Sequence, residues 1–173
     1  MKKITKPAIG DYAPYFQNYL NQVPDDGNLL KHLKDIQKEM EQLILSLPED
    51  KLTYRYAEGK WTIKDILVHL MDAERIFAYR ALRFARTDET PLSSFDENIY
   101  VPAANANARK IKDILKEGAL LRASSIAFIK TLDKKALKRK GISNNHSTTV
   151  TTLVNLIYGH QKHHLNIIQE RYL

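Results

Sequence analysis

Cysteine is absent from the 173 residues. Its absence excludes disulfides, thiolate metal ligands and a cysteine nucleophile. No apolar run approaches the ~20 residues a membrane-spanning helix needs. The opening Met-Lys-Lys-Ile-Thr-Lys-Pro is basic, but no hydrophobic segment and cleavage site follow it, so no secretory signal is expected. Also missing are internal repeats, a glycine-rich phosphate loop, a Gly-x-Ser-x-Gly elbow and the alternation that marks strands. These absences leave a chain expected in the cytoplasm, with no membrane partner.

Hydrophobic residues make up 43% and charged residues 27% of the chain, an ordinary globular composition of a length suited to one domain. The net charge of +7 raises the question of an anionic partner. The basic residues are spread along all the helices, however. The densest group, Lys134, Lys135, Lys138, Arg139 and Lys140, sits in a connector without interleaved aromatics. A solvated basic surface is the expectation, and nucleic acid is not expected as a partner.

Four long helices are predicted from the apolar spacing. The first runs from about residue 28 to 47, with Leu29, Leu33, Ile36, Met40 and Leu43 on one stripe and Pro48 as its stop. The second runs from Thr62 to about Arg86. Thr62 and Asp65 form a capping box, and Trp61 and Ile66 occupy the staple positions, which makes Trp61 a structural pin, with a pocket wall at that helix end as the alternative. The third runs from about 104 to 132, where Gly118 is placed for a close helix crossing. The fourth runs from about 149 to 172, behind a threonine-rich start. Amphipathic helices of this length imply an all-α four-helix bundle over residues 1–173. Residues 1–27 form an extension packed on the bundle, with a short helix carrying Tyr12, Tyr15, Phe16 and Tyr19; lining a pocket mouth is the alternative role for the tyrosines. Residues 87–103 form a long loop, which in a compact domain suggests function or mobility. Phe95 and Tyr100 pin it, and Asp96 between them is the candidate acid, base or water-positioning group, with simple loop capping as an equal alternative.

The stretch Leu156–Leu165 carries the chemistry. His160 and His164 stand four residues apart on one helix, on the side of its apolar stripe. Leucine or isoleucine is usual there, and a buried unpaired ring nitrogen costs roughly 1–3 kcal/mol. A divalent metal is one partner for such a pair, although a third ligand must then come from another segment. His163 points further round the flank. On the second helix, His69 lies at the stripe edge beside Ala73, Ile76 and Arg80, facing the groove toward a neighbour. Asp72 and Glu74 follow it as possible acceptors for the histidine rings. Ligands must be neutral, so metal affinity is expected to fall as the pH drops through about 6.5.

Two motifs carry a family resemblance. Gly59-Lys60-Trp61-Thr62-Ile63-Lys64-Asp65-Ile66 leading to His69, then Tyr158-Gly159-His160-Gln161-Lys162-His163-His164, resemble the DinB-like family, in its YfiT-like branch of metal-dependent enzymes. The resemblance spans roughly residues 28–173. It implies a four-helix bundle, a homodimer, and a divalent cation, zinc or nickel, held by His69, His160 and His164. It also implies a small-molecule substrate. Three protein ligands leave positions open, the arrangement of catalytic rather than structural sites. Family precedent favours thiol-dependent S-transfer, which in a chain without cysteine requires a low-molecular-weight thiol cosubstrate. Metal-dependent hydrolysis and a non-catalytic metal-binding bundle are the alternatives.

Overall fold

The computed structural model describes residues 3–173, and the first two residues of the basic N-terminal stretch lie outside the described residues. Four long helices dominate it: α2 (Leu29–Leu45), α4 (Ile63–Ala85), α6 (Ile111–Thr131) and α8 (Val150–Arg171). Shorter pieces join them: α1 (Gln17–Leu20), α3 (Glu49–Thr53), α5 (Glu97–Ala104) and α7 (Lys134–Lys138), with a hairpin of β1 (Lys140–Ser143) and β2 (His146–Thr149). The fold is a four-helix bundle, as the spacing predicts. The capping box at the start of α4 is present: Thr62 Oγ1 accepts from the Asp65 N–H, and the Asp65 carboxylate accepts from the Thr62 N–H. Thr149 caps α8 by accepting from the Thr152 N–H.

The helices do not follow the simple order of neighbours in sequence. Packed pairs are α4 with α8, α2 with α8, α4 with α6, and α2 with α6. Thus α2 faces α4 diagonally, and α6 faces α8 diagonally. The start of α2, the end of α4, the end of α6 and the start of α8 share one core cluster, and the opposite ends share the other. Helices α4 and α6 therefore run parallel, although they are consecutive long helices. Asn107, just before α6, donates to the Asp65 carboxylate at the start of α4. Arg75 of α4 pairs with Glu117 of α6. A parallel connection must return along the whole bundle, roughly 34 Å for the 23 residues of α4. Residues 86–110 make that return.

Three expectations need correcting here. The segment 87–103 is not structureless: its second half is α5, which packs along α4. The third long helix begins at Ile111 rather than near 104, because Asn105 adopts a left-handed conformation (φ 47°) and breaks the chain between α5 and α6. The expected absence of strands also fails. Asn144 and Asn145 both have positive φ, 49° and 61°, the geometry of a tight hairpin turn that asparagine tolerates. The paired strands are only four residues long, too short to show a period against the surrounding helices.

Candidate metal centre

The site lies where α4 and α8 meet. His160 and His164 are successive-turn neighbours on α8, and His69 reaches across from α4. All three are buried, with 6%, 8% and 6% of their surface exposed for His160, His164 and His69. His160 Nε2 stands 3.1 Å from His69 Nε2 and 3.2 Å from His164 Nε2. Candidate ligand atoms of the three all fall within 4.8 Å of one another. Two nitrogens bound at ~2.0–2.1 Å with a tetrahedral angle between them stand roughly 3.3 Å apart. The observed spacing therefore suits one small divalent cation.

Electrostatics point the same way. Burial holds the His69 pKa down to about 4 and the His164 pKa down to about 3. Burial also pushes His160 well below the usual histidine value, reinforced by the neighbouring imidazoles. Neutral rings offer lone pairs, which is the form a metal requires. Three neutral imidazoles facing one another through Nε2 cannot all be satisfied by hydrogen bonds among themselves, since each such nitrogen is either donor or acceptor. The Nδ1 atom of His164 has no hydrogen-bond partner at all. Ring packing orients His164 instead: Trp61 stacks on it at 6.3 Å and His163 meets it edge-on at 5.1 Å.

The histidines open into a cavity of about 360 Å³. Its floor follows one face of α4 from His69 through Ala73 and Phe77 to Arg80, and its walls include Tyr15, Tyr19, Trp61, Phe95, Glu97 and His163. A second cavity, of about 300 Å³, shares Trp61, Glu97 and His164. Tyr15 and Tyr19 of the N-terminal extension thus line the cavity as well as packing on the bundle. Tyr19 meets His160 at 5.3 Å and His163 at 5.1 Å between ring centroids. This approach depends on Gly159, where a Cβ would stand 2.3 Å from the Tyr19 carbonyl oxygen.

Several residues fall elsewhere than the sequence suggests. Trp61 is more than a pin: its ring lies 4.7 Å from that of His69 and forms a wall of both cavities. Asp96 is not a cavity group. It is exposed and caps α5, accepting from the Asn98 N–H. A carboxylate at an N-cap is held by the backbone donor it satisfies. The next residue, Glu97, lines both cavities and acts electrostatically on His69 and Tyr19. Asp72 and Glu74 do not serve the histidines either. Asp72 pairs with Arg75, and Glu74 is locked to Arg122. Gly118 is not a close crossing, since a Cβ there would meet Met71 Sδ at an ordinary 3.6 Å. The signal for Glu97 was absent from the sequence, because nothing distinguishes it from Asp96 until the helix phase of α5 is known. Arg80, eleven residues after His69 and so on the same face of α4, was legible as a neighbour but not as a cavity group.

Comparison with known proteins agrees with this architecture. The "Putative metal-dependent hydrolase OB0413" of Oceanobacillus iheyensis is 25% identical over 146 residues, covering 83% of each chain. The "Putative metal-dependent hydrolase YfiT" of Bacillus subtilis is 24% identical over 166 residues, covering 94% of this chain and 90% of the relative. A solved structure of Bacillus subtilis YfiT, described as having an unusual four-helix bundle topology, superposes with a TM-score of 0.76 at 21% identity. It covers 94% of this chain and 92% of the other. In this chain α2, α4, α6 and α8 run up, down, down and up. Residues 32–168 match the DinB superfamily, and the chain belongs to it.

Proposed function

We propose that His69, His160 and His164 hold one divalent cation, zinc or nickel first among candidates, and that the chain is a metal-dependent hydrolase of a small molecule. The observation that carries this reading is the meeting of three neutral, buried imidazoles at 3.1 and 3.2 Å on the wall of an open cavity. The hydrolase names of the relatives support water as the nucleophile. Nothing in the cavity favours a low-molecular-weight thiol over water, so S-transfer rests on family precedent alone.

When bound, the cation would supply Lewis acidity and acidify a bound water. The chain's own residues do the rest. Trp61 and Tyr19 pack against the ligand rings and fix their planes. Glu97 and His163 are the carboxylate and the imidazole on the cavity wall outside the triad, placed to accept or return a proton at the open side. Phe77, Phe95 and Trp61 give the cavity its apolar lining. The homodimer implied by the family belongs to the same proposal and is read by sedimentation of the purified chain.

The test is loading of metal-free protein with zinc, nickel, iron and manganese, followed by elemental analysis and assays on ester, amide and phosphoester panels. One ion per chain with hydrolysis supports the reading. Binding without turnover of any panel leaves a metal-binding bundle. Failure to bind every metal overturns the proposal.

A further inference from the structure

Three lysine or arginine side chains are buried among the described residues: Lys64, Arg80 and Arg122. Two have carboxylate partners. Lys64 Nζ pairs with Glu49 at 2.8 Å, and Arg122 Nη2 pairs with Glu74 at 2.8 Å. Arg80 is 5% exposed and has none: its one hydrogen bond runs from Nη2 to the Ser93 carbonyl oxygen at 2.6 Å. A guanidinium carries five N–H donors in a fixed fork. None of the unbonded nitrogens of Arg80 is sealed off from solvent, and the residue lines the cavity. A largely buried cation without a counter-ion is unfavourable, and a bound anion offsets that.

We propose that Arg80 anchors an oxyanion group, carboxylate or phosphate, of the substrate bound in this cavity; this rests on the cavity being the substrate site. Arg80 follows His69 by three turns of α4, roughly 16 Å along the axis. Helical side chains tilt toward the N-terminus, so the long Arg80 chain leans back toward the histidines. Ala73 and Phe77 line the floor between them. The cavity is therefore polarised. Glu97 stands at the histidine end, where its charge acts on His69 and Tyr19, and it forms no ion pair with Arg80. In the metal-free protein its negative charge disfavours an anionic group beside the histidines, while Arg80 attracts one at the far end. The substrate class is a small molecule with an oxyanion at one end and the hydrolysed bond at the other, matched to a cavity near the small end of the ~300–1,000 Å³ range for ligand pockets.

The test titrates metal-free and zinc-loaded protein with inorganic phosphate, glutarate and the neutral glutaramide, using calorimetry on wild type, Arg80→Lys and Arg80→Met. Metal-free wild type is expected to bind phosphate, glutarate or both, and not glutaramide. Arg80→Met should weaken that binding about tenfold or more, with Arg80→Lys between the two, because lysine keeps the charge but not the fork. Binding of phosphate alone identifies a phosphorylated substrate, and binding of glutarate alone a carboxylate. The proposal is overturned if neither anion binds, if glutaramide binds as well as glutarate, or if Arg80→Met binds anions as tightly as wild type. Should Arg80→Met fail to melt cooperatively, the acid–amide comparison on wild type and the Arg80→Lys titration decide. Anion binding without zinc binding removes the metal reading and keeps this one, and zinc binding without anion binding does the reverse.

Discussion

An imidazole buried as neutral makes a protein acid-sensitive, and three such rings meet in this one. Take the unfolded histidine pKa as about 6.5. Folded His69 titrates at about 4 and His164 at about 3, both lowered by burial. Between those values and 6.5 the unfolded chain binds more protons than the native one, so stability rises with pH across that window. The metal-free protein should keep full stability above about pH 6.5 and lose it progressively toward pH 4, by an amount on the order of a few kcal/mol. Denaturant melts at closely spaced pH values check this, and a flat profile between pH 7 and 4 refutes it. The same lowering means that the ligands stay neutral, and metal stays bound, to more acid pH than 6.5. Among the histidines themselves, His69→Ala, His160→Ala and His164→Ala should lose stoichiometric metal. His163→Ala should keep it, because His163 lies outside the converging set. Trp61 offers the readout: it is the only tryptophan, its ring 4.7 Å from that of His69. Metal addition should change its fluorescence in wild type and not in His69→Ala.

At the scale of the element, two helical glycines behave oppositely. Gly159→Ala places a Cβ 2.3 Å from the Tyr19 carbonyl oxygen, so α8 and the N-terminal extension must separate. A cost of about 1–3 kcal/mol is expected, together with a more open cavity. Gly118→Ala meets only ordinary contact and gains helix propensity, so it should stabilise by up to about 1 kcal/mol. Thermal melts of the two variants settle the comparison; equal effects would mean that the extension yields freely. The helices themselves, and the capping box that starts α4, were readable because each depends on residues within a few positions of one another. Helix α5 and the hairpin were not. Each is short, and each owes its place to what it packs against: α5 to α4, and the hairpin to α4 and α8.

Across the whole molecule, Arg122 of α6 joins all four long helices. Its guanidinium donates to Glu74 of α4, to the Leu33 carbonyl of α2 and to Gln161 of α8. Arg122→Met leaves the buried Glu74 carboxylate without its partner, and a loss of about 3–5 kcal/mol is expected. Pairing it with Glu74→Leu should recover much of that loss, because the uncompensated charge is removed. Equal stability of the single and double variants would show that the network contributes packing rather than charge compensation.

The amino-acid sequence determined the four amphipathic helices, the caps that begin two of them and the i, i+4 histidine pair, since all of these are periodicities within one segment. It also carried His69, through the motif that leads into α4. Tertiary structure decided everything that depends on which segments meet. The parallel α4 and α6 force a long return across the bundle, and that return brings Glu97 rather than Asp96 to the cavity. The bundle order puts α4 against α8, which converts an edge histidine and a core pair into one cluster. Tyr15, Tyr19, Trp61 and Arg80 acquired their positions in the same way, because a cavity is a property of surfaces that only folding brings face to face.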